Sequence, residues 1–151
     1  MRLEHVCDME LSYRKELDSQ VGPYGAKLPV VRPYGGEEGI GYGEGNITFT
    51  GPKLQGTGRF VNHPHRRSDG VMLPDLHGVL LTDEGATILF TFQGRTQFTD
   101  RKGKPMLTTL FETEDDRYRW LNSTLCVLEG VFDAETLSLR ARIYLCVNEL
   151  V

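Results

Sequence analysis

Val79-Leu80-Leu81-Thr82-Asp83-Glu84-Gly85-Ala86-Thr87-Ile88-Leu89-Phe90-Thr91-Phe92 reads as a β-hairpin. Two apolar, β-branched and aromatic runs flank a polar Thr-Asp-Glu-Gly break, and glycine suits the positive-φ position that such a turn needs. The same grammar recurs toward the C-terminus. From Leu139 to Val147, Leu139, Ala141, Ile143, Leu145 and Val147 alternate with Arg140, Arg142, Tyr144 and Cys146, the period-two pattern of a strand with one apolar face.

Working outward, further strands are expected at Val6–Tyr13, Lys27–Arg32, Glu44–Thr50, Thr57–Asn62, Asp69–Leu73, Met106–Thr113 and Thr124–Val131. The first of these also fits an amphipathic helix. Pro74 lacks a ladder donor, so the chain around it should bend, bulge or lie at an edge. With 17 glycines and 7 prolines the breakers fall too close together for many helices. One short helix is expected over Glu114–Trp120, where acidic residues lead and the helix dipole favours them. The fold expected is all-β: a closed or nearly closed antiparallel barrel, lipocalin-like in shape, of about eight to ten strands.

The chain of 151 residues fits one domain over its whole length, with no internal repeat or linker. Lys and Arg number 17 against 21 Asp and Glu, for a formal charge of -4, and the basic residues form no stripe. Nucleic acid is therefore excluded as a partner, because its binding relies on neutralising several phosphates at once. No apolar run reaches membrane-spanning length and none resembles a signal peptide, so a cytoplasmic protein without membrane contact is expected. In that compartment Cys7, Cys126 and Cys146 stay reduced, and the sequons at Asn46 and Asn122 carry no weight.

Chemistry concentrates in Asn62-His63-Pro64-His65-Arg66-Arg67-Ser68-Asp69. Histidine gives and takes protons near neutrality, and arginine offers a planar fork to a carboxylate. The segment points to acid/base work on an anionic small molecule. If it is extended, the two arginines face opposite sides and at most one meets a lumen; the other then pairs with Asp69 or Asp75, or is solvated.

His63 and His65 share a side of an extended chain and in principle suit one metal ion, as in cupin-type barrels. Against this stand the proline between them, an aspartate where a glutamate is usual, and His5 and His77 too remote in sequence to complete a set by spacing alone. Ser68 has no nucleophile-elbow context, which excludes a serine hydrolase.

The glycine-rich stretch Tyr34–Gly45 lacks dinucleotide spacing and carries three glutamates that repel phosphate, so it reads as a flap or connection, with Tyr34 and Tyr42 able to cover an aromatic ligand. A second cluster is Arg117-Tyr118-Arg119-Trp120-Leu121-Asn122. Its Tyr118 phenol is a candidate proton donor, and Trp120 is either a pocket wall or a plug for one barrel end.

Gly51-Pro52-Lys53-Leu54-Gln55-Gly56, Asp69-Gly70, Thr82-Asp83-Glu84-Gly85-Ala86, Gly94-Arg95 and Arg117–Asn122 occur in an order that resembles the bacterial β-barrel family catalogued as a domain of unknown function, DUF3237. The chain departs from the usual pattern between Gly56 and Asp69, where the His63–Arg67 cluster stands, which points to a specialised subgroup. Some similar proteins take part in breaking down lignin-derived dimers, removing carbon dioxide from a phenylcoumaran carboxylic acid as its ether ring opens to a stilbene. The resemblance thus implies a lyase without cofactor, acting on an aromatic carboxylate. His63, His65 or Tyr118 would supply a proton, Arg66 or Arg67 would bind the acid, Tyr42 and Trp120 would stack on rings, and Asp69 and Arg117 would complete the polar set around the substrate. A non-catalytic barrel carrying an apolar ligand and a metal-dependent barrel enzyme remain as alternatives. A homodimer is expected, since edge strands and aromatic surface on a small barrel gain from a twofold partner.

Overall fold

The computed structural model describes residues 1–14 and 39–150. The strands, in chain order, are β1 (Arg2–Tyr13), β2 (Gly39–Ile40), β3 (Gly43–Thr50), β4 (Gly56–Asn62), β5 (His65–Arg66), β6 (Met72–Leu73), β7 (Asp75–Thr82), β8 (Thr87–Thr99), β9 (Lys102–Glu112), β10 (Cys126–Asp133) and β11 (Ser138–Val147). Eight of them close into an antiparallel barrel in the order β8-β7-β4-β3-β1-β11-β10-β9, with β9 returning to β8. A 3₁₀ helix, η1 (Asp116–Ser123), joins β9 to β10.

The β7–β8 hairpin forms as its sequence dictates. Thr82 N–H donates to the Ala86 carbonyl at 2.8 Å, the Thr82 hydroxyl accepts from Ala86 N–H at 2.9 Å, and Gly85 takes φ +89°. β1 is a strand: Cys7, Met9 and Leu11 face the core at period two while Asp8, Glu10 and Ser12 pair outward with β11 and β3. A helix would have scattered that apolar phase around its circumference.

The strand expected over Asp69–Leu73 is confined to Met72–Leu73. Asp69 turns the chain instead, its carboxylate accepting from Val71 N–H and from Arg67 Nε, each at 3.1 Å, with Gly70 at φ +83°. Pro74 falls in the break between β6 and β7. β8 and β9 run longer than the sequence pattern foretold and turn tightly at Asp100, a non-glycine residue at φ +55°. Pro105 is accommodated within β9 where the ladder to β10 skips, between the pairs Glu129–Met106 and Phe132–Gly103. The strand expected at Lys27–Arg32 and the first half of the Tyr34–Gly45 stretch lie outside the described residues.

Phe49, Phe90, Phe92 and Phe111 pack edge-to-face or stacked at centroid distances of 4.8–6.4 Å in the middle of the barrel. Each such ring withdrawn from water contributes roughly 1.5–3 kcal/mol. One inner row crosses five strands as Tyr13–Gly45–Phe60–Gly78–Phe90, large residues alternating with glycine. The glycines make room. A Cβ on Gly78 would lie 2.2 Å from the Phe90 ring, and one on Gly45 only 1.9 Å from the Ser12 carbonyl oxygen. Tyr13 and Phe60 meet across Gly45 at 5.0 Å with their planes at 89°.

Candidate functional site

η1 plugs one barrel end. Asp115 caps it, accepting from Arg117 N–H at 3.0 Å, while Tyr118 and Leu121 are buried and Trp120 packs against the core. Arg117 is bound to the Asp115 carboxylate at 2.8 Å and to the Glu84 carbonyl at 3.0 Å. The Arg117 side chain and backbone together hold the Asp115 carboxyl down to about 2.

The opposite end is open to solvent and holds a cavity of about 50 Å³, lined mainly by Leu11, Phe98, Leu107, Phe132 and Leu139, with Met72, Pro64 and Pro74 on one side. One water needs about 10–15 Å³ by the same measure, so the enclosed space is that of a few waters, and it continues into the open mouth. β8 outruns β7 here, and β6, β5 and β2 attach in turn to its free edge, forming a lip beside the opening.

Strand alternation through the lip sorts the dense cluster. Asn62, Pro64 and Arg66 are buried, whereas His63, His65, Ser68 and Asp69 are exposed and Arg67 is half-buried. Arg66 pairs with Met72, and Met72 with Thr96, so Arg66, only 7% exposed, lies on the face that carries these two cavity-lining residues. Arg67 turns outward to Asp69.

The polar groups inside the opening are Tyr13, Asn62 and Thr96. Asn62 Nδ2 donates to the Tyr13 phenol oxygen at 2.8 Å, and Asn62 Oδ1 accepts from Asp75 N–H at 3.0 Å. Burial pushes the Tyr13 phenol up to about 12, only partly offset by the Asn62 bond. Tyr13 therefore stays protonated at physiological pH, its oxygen accepting from Asn62 and its own O–H left to donate.

The sequence-derived candidates thus separate into three places. Arg66 is buried in the lip, cross-strand from the cavity-lining Met72. Arg117, Tyr118 and Trp120 are at the plugged end. His63, His65, Arg67, Asp69 and Tyr42 are on the outer side of the lip, where the Tyr42 and His63 rings lie 5.4 Å apart and Tyr42 donates to Glu44 at 2.7 Å. Nearby, Asp75 is bonded by Gln93 at 2.9 Å and His77 at 2.8 Å, which hold its carboxyl below the ordinary range. Among the described residues no three His, Cys, Asp or Glu side chains converge as a metal site would require. Nor is any described helix long and apolar enough to cross a membrane.

Tyr13 is missing from the sequence-derived set, and Asn62 stood in the dense cluster with no role assigned to it, although both carried a signal. Tyr13 continues the inward phase of Cys7, Met9 and Leu11, and Asn62 is a polar residue in phase with Phe60.

The fold recurs in solved structures of low identity. A β-barrel-like protein from Acinetobacter baumannii matches with TM-score 0.69 and 20% identity over 95% of this chain and 94% of its own. An enzyme from Penicillium herquei matches with TM-score 0.65 and 21% identity over 95% and 93%. A protein of unknown function from Clostridium acetobutylicum matches with TM-score 0.73 and 14% identity over 97% and 100%. No curated protein matches the chain. The family model described as protein of unknown function, DUF3237, matches residues 1–146, so the chain belongs to that family.

Proposed function

We propose that the open end of the barrel takes an aromatic carboxylate and that the protein is a lyase working without cofactor. The carrying observation is the buried Arg66 of the lip, cross-strand from Met72, which lines an apolar cavity whose polar groups include a phenol held by Asn62. One aryl ring seats in the open mouth over the apolar cavity, Arg66 forks the carboxylate at the lip, and the Tyr13 hydroxyl faces the reacting oxygen.

For a phenylcoumaran carboxylic acid, the electron pair of the carbon–carboxylate bond forms the new carbon–carbon double bond as carbon dioxide leaves. The adjacent ring carbon–oxygen bond breaks and its pair goes to the phenoxide. Electrons balance within the substrate, and one proton from water completes the phenol. Catalysis then consists of orienting the carboxylate and stabilising the developing phenoxide. Tyr13 supplies the hydrogen bond. Its raised pKa suits donation better than full proton transfer. The second aryl ring of such a dimer would rest outside the cavity. That one structural neighbour is an enzyme is consistent with catalysis on this fold.

A carrier is the second reading, favoured by the apolar character of most of the cavity lining. Calorimetric titration with an aryl carboxylate and its primary amide, on wild type and Arg66→Met, tests the site itself. The carboxylate should bind the wild type at least about tenfold more tightly than the amide, a difference of about 1.4 kcal/mol, and the variant should abolish the preference. Equal binding of both by the wild type would refute Arg66 as the anchor.

A further inference from the structure

We infer that the outer wall formed by β4, β7, β8 and β9 is the contact face of a twofold dimer of this chain. The closed barrel removes the wall edges from which a dimer was expected on sequence grounds, since β8 and β9 pair over Leu89–Glu112 through Thr99–Lys102. The wall's outer face carries a different device.

One cross-strand row on this face reads Arg59–Val79–Leu89–Glu112, each residue being the direct partner of the next. Val79 is 39% exposed and Leu89 54%, and Leu81 at 55% and Leu110 at 49% extend the apolar patch on either side. Arg59 and Glu112 are exposed at the two ends, and among the described residues neither has an ion-pair partner in its own chain.

A cation, two apolar residues and an anion in line form a self-complementary set. A twofold axis parallel to the strands, running between β7 and β8 in the plane of contact, places Arg59 of one copy opposite the partner subunit's Glu112 and Val79 opposite the partner's Leu89. Both pairs then occur twice, as an isologous interface requires. The neighbouring row Val61–His77–Thr91–Leu110 obeys the same symmetry, setting Val61 against the partner's Leu110. Burial of the leucines drives the association, and the end charges fix its register and exclude the shifted alternatives. A heterologous partner would need no such palindrome in charge.

A patch four strands wide, about 19 Å at the usual strand spacing, is small for a specific interface. The dimer should therefore exchange with monomer in the micromolar range.

Sedimentation velocity from low-micromolar to millimolar chain concentration tests the assignment with substitutions on an exposed face remote from the core. Wild type should dimerise. Leu89→Asp should be monomeric, and Arg59→Glu or Glu112→Arg alone should weaken association by at least about tenfold through like charges. The double variant Arg59→Glu/Glu112→Arg should restore it, which a merely folding-related effect of either residue would not do. A wild type that stays monomeric throughout, or an oligomer indifferent to Leu89→Asp and to the single charge reversals, would overturn the proposal.

Discussion

Asn62 holds the Tyr13 phenol oxygen through Nδ2 at 2.8 Å while its Oδ1 accepts from Asp75 N–H at 3.0 Å. The two bonds fix the amide in one orientation, and that orientation makes Asn62 the donor and the phenol oxygen the acceptor. The Tyr13 proton is left to point elsewhere, and the opening of the barrel is where the residue sits. Asp75 follows Pro74 at the start of β7, so Asn62 also satisfies a backbone donor stranded by the break in the sheet.

Replacing Tyr13 by Phe keeps the ring packed against Phe60 and removes only the hydroxyl. Turnover should fall by about 10²–10³ with KM little changed, the usual consequence of losing one donor to a developing oxyanion. Stability should drop by about 1–3 kcal/mol because Asn62 Nδ2 loses its partner. Steady-state kinetics and urea unfolding separate the two effects; an unchanged kcat would remove Tyr13 from the chemistry.

The Gly45 position should tolerate no side chain. In Gly45→Ala the new Cβ meets the Ser12 carbonyl oxygen at 1.9 Å, so β1 and β3 must separate just where Tyr13 and Phe60 make contact. A loss of about 1–3 kcal/mol is expected, together with weakened binding at the open end. Denaturant midpoint and aryl carboxylate affinity measured on one preparation check both; native stability would show that the wall is more yielding than its register implies.

Alkaline pH should loosen the barrel from within. Burial raises the Tyr13 phenol from 10.0 to about 12 and the Cys7 thiol from 9.0 to about 12. Both folded values exceed the unfolded ones, so the folded state keeps protons that the unfolded chain has released. Stability is complete below about pH 9 and declines as pH rises toward 12, with losses near pH 10.5 of about 1 kcal/mol from Tyr13 and about 2 kcal/mol from Cys7. Urea midpoints between pH 8 and pH 10.5 should fall in wild type and fall less in Cys7→Ala; equal slopes would show that Cys7 titrates alike in both states.

The sequence pattern was sufficient for the barrel because period-two alternation and glycine-marked turns are local signals, as in Leu139–Val147 and the Gly85 turn. It was insufficient where a strand outruns its neighbour. The lip of β2, β5 and β6 exists because β8 extends past β7, a consequence of register that no single segment records. The site was legible in part for the same reason. Alternation predicts that Arg66 and Arg67 diverge, and they do, but it equally sends His63 and His65 outward with the phase opposite to Arg66. Tyr118 is separated from Arg66 by the length of the barrel, since η1 closes the end where β9 finishes and the cavity opens where β9 begins. Residue type alone could not reveal that distance.

The most direct measurement mixes chelator-treated protein with racemic phenylcoumaran carboxylic acid and follows the near-ultraviolet band of a conjugated stilbene, with product mass as the check. The account predicts growth of that band in wild type, a halt at half conversion if one enantiomer is accepted, and a much slower rise in Tyr13→Phe. Absence of stilbene from wild type that still binds aryl carboxylates through Arg66 would contradict the lyase and leave the barrel as a carrier.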